Sequence, residues 1–247
     1  MTHEQQQRYN RHIVLEDIGI AGQERLLAAS VLVVGAGGLG SAVLQYLAAS
    51  GVGTLGVVDG DVVSISNLQR QVIHTTADLS RPKTQSAKEK IRTLNPDVDV
   101  KMYDFFLDSS NATSIVSKYD FIIDATDNFK AKYLINDVCV RLNKPFCMGG
   151  VTGFCFQLMT HLPGTSCYRC LFPDFAADEK PDSGVVMGVL SPVVGVCGTL
   201  LAVECIKYFV CKGDLLINKI ACFDALSMTW SIIDVCRNSK CELCSNV

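Results

Sequence analysis

The sequence has no long run of charges of one sign, and its 22 basic and 25 acidic residues leave a net charge of only −3. Nothing therefore favours a nucleic acid or an anionic membrane as partner. The polar first residues, MTHEQQQRYNRH, lack the apolar core of a secretory signal, so we expect a cytoplasmic protein. The uncharged segment 183–203 is interrupted by four glycines and a proline. It is more typical of a loop followed by a buried helix than of a membrane span.

Short apolar runs alternate with helical patterns along the first 150 residues. This alternation predicts βαβ units and an α/β fold: a Rossmann-like, mostly parallel sheet with helices on both faces. The hydrophobic content of 49% is enough for a well-filled core. The predicted strands are 31–34, 55–58, 98–102, 121–123 and 144–148, and the predicted helices are 39–50, 82–94, 110–117 and 129–142.

The pattern changes after residue 150, where longer strands are predicted to extend the sheet in antiparallel fashion. They flank segment 192–210, which is apolar nearly all round and is therefore predicted to form a buried helix. We interpret residues 1–247 as one domain, with a nucleotide-binding half (1–150) and a sheet extension (151–247) containing a mobile loop (171–190). The predicted additional strands are 153–162, 215–223 and 228–235.

A glycine-rich turn follows the first predicted strand. Gly35, Gly37 and Gly40 match GxGxxG, and Gly38 adds a fourth glycine. Glycines permit the tight turn and let the backbone approach a phosphate at the N-terminus of the next helix. Asp59 follows the second strand, where a carboxylate accepts hydrogen bonds from ribose hydroxyls. The pair indicates a nucleotide site but suits NAD and ATP equally, and a structural turn without a ligand is the alternative.

Two cations follow this turn in the sequence. The polar segment SNLQRQ (66–71) brings Asn67, Gln69 and Arg70 to the mouth of the same site, although Arg70 alone could be an ordinary surface charge. Lys83 lies in the first turn of a predicted helix, where the helix dipole makes a cation unfavourable by about 0.3–1 kcal/mol. A triphosphate would compensate for that cost, and a solvated lysine is the alternative.

The segment FIIDATDN (121–128) supplies a carboxylate. Its strand ends at Asp124, so Asp127 and Asn128 follow at the strand's carboxyl end, where ligands gather in open α/β sheets. Asp127 is predicted to hold Mg²⁺, to cap the next helix, or to do both. Two cations and a carboxylate around a nucleotide turn suit phosphoryl or nucleotidyl transfer, whose transition state spreads negative charge. Hydride transfer does not need them, so we favour ATP over NAD.

Twelve cysteines without a secretory signal indicate reduced thiols rather than disulfides. Two CxxC pairs stand out: Cys167 with Cys170, and Cys241 with Cys244. Four thiolates from two such pairs form a tetrahedral site that is typical of structural zinc. A redox dithiol, which needs only one pair, is the alternative.

Taken together, these motifs resemble the ubiquitin-activating-enzyme-like adenylyltransferases, in particular the bacterial ThiF/MoeB/HesA group. The resemblance covers nearly the whole chain, and this set of motifs in this order is highly specific. The motifs are RYNRHIVL (8–15), GAGGLG (35–40), DGDVVSISNLQRQ (59–71), RPK (81–83), TDN (126–128), SPVVGVCGTLLAVECIK (191–207) and the two CxxC pairs.

The resemblance implies an enzyme that uses ATP to adenylate the C-terminal glycine of a small ubiquitin-like sulfur-carrier protein ending in Gly-Gly. A sulfur donor then converts the acyl-adenylate to a thiocarboxylate, in thiamine or molybdenum cofactor biosynthesis. Asp59 is implied to hold the ribose and Asp127 to organise Mg²⁺, while Arg11 reaches the ATP of the neighbouring subunit because relatives are homodimers. The implied catalytic residues are Arg11, Arg70, Lys83 and Asp127. The implied nucleotide-binding residues are Gly35, Gly37, Gly38, Gly40, Asp59, Ser66, Asn67, Leu68, Gln69, Arg70, Lys83, Asp127 and Asn128.

The sequence departs from the family pattern in the loop 171–190. Relatives often carry a cysteine there, whereas this sequence has Gly184 at the corresponding position and no cysteine between Cys170 and Cys197. Cys197 and Cys205 belong to the predicted buried helix and are poor nucleophiles, because burial raises the pKa of a thiol. We therefore expect adenylation without an enzyme-bound thioester. The chain ends soon after the second CxxC pair, so we expect a separate protein to deliver sulfur; an NAD-dependent oxidoreductase or a non-catalytic scaffold is the alternative.

Overall fold

One sheet of eight strands runs through the computed structural model, which describes residues 1–173 and 188–245. The strands are β1 (Ser30–Val34), β2 (Thr54–Val58), β3 (Asp99–Tyr103), β4 (Phe121–Asp124), β5 (Phe146–Thr152), β6 (Cys155–His161), β7 (Lys219–Asp224) and β8 (Thr229–Asp234). Their spatial order is β3-β2-β1-β4-β5-β6-β7-β8. The first five strands are parallel and the last three are added antiparallel. The predicted Rossmann-like sheet with an antiparallel extension is confirmed.

Helices cover both faces of this sheet. They are α1 (His3–Arg8), α2 (Asn10–Ile13), α3 (Gly19–Ala28), α4 (Gly38–Ala49), α5 (Lys83–Leu94), α6 (Ala112–Val116), α7 (Phe129–Arg141), α8 (Tyr168–Leu171) and α9 (Ser191–Val210). Residues of α3, α4, α5 and α9 form a hydrophobic core with one face, and residues of α6, α7 and α8 form a second core with the other. The central strands β1 and β4 are buried on both faces, which explains their continuous apolar sequences.

The N-terminal helices have little apolar patterning to predict them. Helices α1 and α2 bury no residue, so they carry no hydrophobic stripe. The available signal is the capping box formed by Thr2 and Gln5, in which each side chain accepts a hydrogen bond from the other residue's backbone N–H.

Helix α9 is the one helix in the described part of the chain that is long and apolar enough to cross a membrane, and half of its most apolar window is buried inside the protein. Its Gly198 lies against α4, where an added Cβ would come within 2.5 Å of the Leu39 carbonyl oxygen. The opposite face is open, because Val196 and Val203 are 43% and 42% exposed. The prediction of a core helix is therefore correct, but burial all round is wrong, since only one side of α9 faces the sheet and α4.

Two predicted boundaries differ from the structure. The division at residue 150 falls inside β5, which continues to Thr152 as it pairs with β6. The strand predicted at 215–223 begins only at Lys219, because the Leu216 N–H donates to the Glu204 carboxylate of α9. Most of the predicted mobile loop 171–190, including Gly184, lies outside the described residues.

Candidate nucleotide-binding site

The predicted nucleotide residues gather where β1 and β4 lie side by side. Val34 and Asp124 are register partners at the carboxyl ends of these two strands, and Val58 ends β2 on the other side of β1. The chain leaves β1 and β4 toward opposite faces of the sheet, because α4 and α7 contribute to different cores. Such a switch point is where open α/β sheets bind ligands.

The glycines of the turn are required by close backbone contacts. Gly35 has a φ of +100°, and a Cβ there would lie 2.8 Å from the Ala125 carbonyl oxygen. A Cβ on Gly40 would lie 1.9 Å from the carbonyl oxygen of Gly35. The turn is thus folded back on itself and against the chain that follows β4. Gly37 is the N-cap residue of α4, and no side chain among the described residues caps this helix, so the first N–H groups of α4 are available to an anion.

Asp59 is joined directly to this turn. It is 8% exposed, and its Oδ2 accepts a hydrogen bond from the Ala36 N–H at 2.8 Å. Its Oδ1 accepts from the Asp61 N–H, also at 2.8 Å. Burial raises the pKa of the Asp59 carboxyl, and the charge of Lys83 opposes that rise. Each oxygen retains a lone pair, so the carboxylate can also accept from ribose hydroxyls.

Lys83 is buried rather than solvated, so the alternative of a surface lysine is wrong. It is the first residue of α5 and is 5% exposed. Its Nζ lies 2.9 Å from Asp61 Oδ2 and 3.9 Å from Asp59 Oδ2. The two carboxylates offset both the burial of the cation and its unfavourable place at the helix N-terminus. Asp61 is a site residue that the sequence interpretation overlooked, although the DGD spacing places it two residues after Asp59.

Arg70 lies beside the glycine turn. Its Cγ is 3.5 Å from the position of a Cβ on Gly38, so its aliphatic part packs beside the first turn of α4. Its Nη1 donates to the Ser66 carbonyl oxygen at 3.1 Å. The guanidinium is thus held close to the glycine turn, as the sequence predicts.

The rest of the segment SNLQR forms a short 3₁₀ turn that carries Arg70. Asn67 Oδ1 accepts a hydrogen bond from the Ser64 N–H at 3.3 Å, and the hydroxyls of Ser64 and Ser66 lie 3.0 Å apart. Leu68 is half-buried and Gln69 is exposed. Asn67 and Ser66 therefore have a structural task here, besides the nucleotide contacts that the family resemblance implies.

Asp127 and its neighbour have different surroundings. Asn128 caps α7, since its Oδ1 accepts from the Ala131 N–H at 2.9 Å. The capping alternative for Asp127 is therefore wrong. Asp127 is exposed at the carboxyl end of β4 and makes no hydrogen bond or ion pair with another described residue. Its carboxylate oxygens are a suitable ligand for Mg²⁺.

Arg11 does not join this cluster. It is exposed on α2 and makes no hydrogen bond or ion pair within the described residues. Among the described residues, no hydrogen bond or ion pair therefore connects Arg11 with Lys83 or Arg70.

Two buried polar side chains next to the turn are absent from the sequence-based site. His74 is 4% exposed, and its Nε2 lies 2.9 Å from the Ala36 carbonyl oxygen. Gln71 is also 4% exposed, and its Nε2 lies 3.4 Å from the position of a Cβ on Gly37. Gln71 Oε1 is buried without a hydrogen-bond partner in the described residues. Neither residue type carries a motif on its own, so only the fold reveals their location.

The four cysteines of the CxxC pairs form one cluster, as predicted. Their sulfur atoms all lie within 4.8 Å of one another. The separations are 3.9 Å for Cys167–Cys170, 3.7 Å for Cys167–Cys241 and 3.3 Å for Cys170–Cys244. A tetrahedron with Zn–S bonds of about 2.3 Å has sulfur–sulfur edges of about 3.8 Å, so the donor set fits zinc. A dithiol would not require all four thiols to converge.

The cysteines of α9 are buried, as the sequence predicts. Burial raises the pKa of the Cys197 thiol to about 12 and that of Cys205 well above its ordinary value. Thiolates are the reactive form, so neither residue is a suitable nucleophile.

Comparisons with known proteins agree with this arrangement. The sequence profile of the ThiF family matches residues 9–245. The SAMP-activating enzyme E1 of Haloferax volcanii is 43% identical over 242 residues, covering 96% of this chain and 88% of that protein. The sulfur carrier protein adenylyltransferase of Thermus thermophilus is 42% identical over 251 residues, covering 99% and 93%. The crystal structure of E. coli MccB with ATP has a TM-score of 0.82 at 26% identity, covering 91% of this chain and 69% of that chain.

Proposed function

The chain belongs to the ThiF family, and on that premise we propose that it uses ATP to adenylate the C-terminal carboxylate of a small, ubiquitin-like sulfur-carrier protein. The observation that carries this function is the convergence of Lys83, Arg70 and Asp59 on one glycine turn. A buried cation beside the turn suits a triphosphate. An NAD-dependent oxidoreductase gives Lys83 and Arg70 no task and is not favoured.

The reaction is a nucleophilic displacement at phosphorus. A carboxylate oxygen of the carrier's last glycine attacks the α-phosphorus of ATP, and the bond between that phosphorus and the α,β-bridging oxygen breaks. Pyrophosphate leaves with the electron pair, and an acyl-adenylate remains. The attacking carboxylate is already ionised, so the step needs no general base and depends on positioning and charge stabilisation.

Each residue near the turn has a proposed task in this step. Asp59 holds the ribose, and the N-terminal N–H groups of α4 hold a phosphate. Lys83 moves from its carboxylate partners to the negative charge that develops on the pyrophosphate, and Arg70 approaches it from the other side. Asp127 holds Mg²⁺, which neutralises phosphate charge when it is bound.

We propose that a second copy of the chain completes the site. Arg11 is exposed and lies outside the cluster, so it can contact ATP only in another subunit or after a rearrangement of α2. The exposed valines on the outer face of α9, Val196 and Val203, offer apolar surface for such a homodimer. Sedimentation of the purified protein tests this part, and a monomer at all concentrations would contradict it.

The cysteines indicate how the reaction continues after adenylation. The buried thiols of α9 and the absence of a cysteine between Cys170 and Cys197 favour adenylation without an enzyme-bound thioester. A separate sulfur donor then acts on the adenylate, in the thiamine or the molybdenum cofactor pathway. The four-cysteine cluster is proposed to hold zinc as a structural ion that ties the C-terminal segment to α8.

Carrier-dependent exchange of radiolabelled pyrophosphate into ATP tests the function. The assay uses carriers that end in Gly-Gly from both pathways, each compared with the same carrier lacking its final glycine. We expect exchange only with ATP, magnesium and an intact carrier, and the faster carrier identifies the pathway. No exchange with any such carrier, together with NAD bound to the purified protein, would contradict the proposal.

A further inference from the structure

We propose that His74 is a positioning residue for ATP: by holding the Ala36 carbonyl, it fixes the glycine turn on which the nucleotide phosphates rest. This inference rests on the proposed function, because it takes ATP as the ligand of the turn. We do not propose a contact between His74 itself and the nucleotide.

The two ring nitrogens of His74 have complementary partners. Nε2 lies 2.9 Å from the Ala36 carbonyl oxygen, which can only accept, so Nε2 carries the proton. Nδ1 lies 2.8 Å from the Ser86 hydroxyl, which therefore donates to it. Ser86 belongs to α5 and is fully buried, so the imidazole is anchored on a rigid element. The neutral ring satisfies both contacts at once.

Ala36 is a pivot of the turn. It lies between Gly35 and Gly37, which offer little conformational restraint of their own. Its N–H is held by Asp59 at 2.8 Å, and its carbonyl is held by His74 at 2.9 Å. The two side chains thus fix the peptide groups on both sides of Ala36. Loss of either contact would let the turn rotate and would misdirect the N–H groups at the start of α4.

The surroundings of His74 keep it neutral and exclude acid–base chemistry. Burial lowers the pKa of the imidazole, while the hydrogen bond to Ala36 opposes that change. Among nearby charges, Lys83 also lowers this pKa, whereas Asp78 and Asp59 raise it. Both nitrogens are occupied and buried, so His74 has no free proton-transfer route to a substrate.

Substitutions that separate ring volume from hydrogen bonding test the proposal. His74→Phe keeps an aromatic ring but leaves Ala36 without its donor, whereas His74→Gln keeps an N–H donor near the Nε2 position. His161→Phe is the matched control, because His161 is also buried and its Nδ1 lies 3.1 Å from the Ser166 carbonyl oxygen, away from the turn. The readouts are the Kd of ATP with magnesium by calorimetry, and kcat of carrier-dependent pyrophosphate exchange.

We expect His74→Phe to raise the Kd of ATP about tenfold, with kcat at saturating ATP changed less than about threefold, because Lys83 and Arg70 remain in place. His74→Gln should restore Kd to within about twofold, and His161→Phe should lower stability without changing Kd. A folded His74→Phe variant with unchanged Kd would overturn the proposal, as would a folded His74→Gln variant as impaired as His74→Phe.

A second variant covers the case in which His74→Phe does not fold. Ser86→Ala removes only the hydroxyl that orients the imidazole, and we expect it to raise the Kd of ATP about threefold. An unchanged Kd in Ser86→Ala would then overturn the proposal. Absence of ATP binding by the unaltered protein is a different result, because it would remove the proposed function itself.

Discussion

The nucleotide site and the cysteine cluster occupy different parts of the same sheet and are completed in different ways. At the nucleotide site, the buried Lys83 is neutralised by Asp59 and Asp61, and the backbone of the turn is held by Asp59 and His74. At the cysteine cluster, four thiols converge in an arrangement that suits a metal ion. We therefore propose that the nucleotide site is stable without its ligand, whereas the cysteine cluster depends on a bound metal for its stability.

The difference between the two regions predicts which property each substitution should change. Changes at the nucleotide site should alter ATP use more than folding, because protein groups already satisfy its backbone and charges. Changes at the cysteine cluster should alter folding more than ATP use, because the metal that we propose there would connect the C-terminal segment to α8.

The largest effect is expected from Cys241→Ser. Losing one of four zinc ligands should lower the free energy of unfolding by about 4 kcal/mol, and the Tm on the order of 10 °C. Cys236→Ser is the control, since Cys236 is exposed and lies outside the cluster. Calorimetry and zinc analysis measure both variants. If Cys241→Ser kept its full stability but lost its affinity for ATP, the metal would act at the nucleotide site, and the proposed structural role would be contradicted.

Lys83→Met should produce the next largest effect. We propose that Lys83 faces the leaving pyrophosphate, so removing this cation should slow exchange by at least about 10²-fold, which is about 2.7 kcal/mol. Lys88→Met, in the same helix and only half-buried, is the control and should exchange normally. An exchange rate within about threefold of normal for Lys83→Met would remove this residue from the mechanism.

Neighbouring residues after β4 provide a closer test. Asp127→Asn should slow exchange at least about tenfold and leave the free energy of unfolding within about 0.5 kcal/mol, because Asp127 is exposed. Asn128→Ala should lower the free energy of unfolding by about 1 kcal/mol through the lost cap of α7, with a smaller effect on exchange. Urea titration and exchange assays on both variants measure these effects. A loss of stability in Asp127→Asn together with slow exchange in Asn128→Ala would contradict the two assignments.

The smallest effect concerns pH. Burial lowers the pKa of His74, so the unfolded chain binds this proton more readily than the folded chain, and His74 makes stability fall as the pH drops below about 6.5. As the pH drops below about 6.5, His74→Gln should therefore lose less stability than the unaltered protein. Urea midpoints at several pH values measure the difference, and parallel pH profiles would contradict it.

Charged and cysteine residues were the part of these sites that the sequence could predict. The spacing of Cys167, Cys170, Cys241 and Cys244 predicts a ligand set because every donor atom belongs to a metal-binding residue type. Lys83 could be singled out because a cation at a helix N-terminus is unfavourable. The mostly parallel sheet was likewise predictable, since parallel strands produce continuous apolar runs.

Supporting contacts could not be predicted in the same way. His74 meets Ala36 and Ser86 only because the fold brings together segments that are distant in the sequence. Asp61 resembles any polar residue in a loop until Lys83 is seen beside it. The one-sided burial of α9 could not be predicted either. A helix that is apolar nearly all round does not show which of its faces packs inside the protein.

A structure determined with a non-hydrolysable ATP analogue and magnesium would test directly whether the glycine turn, Asp59, Lys83 and Arg70 bind ATP as proposed. We expect the ribose to contact Asp59, a phosphate to meet the N-terminus of α4, and Lys83 and Arg70 to contact the triphosphate. A triphosphate directed away from Lys83 and Arg70 would contradict this expectation.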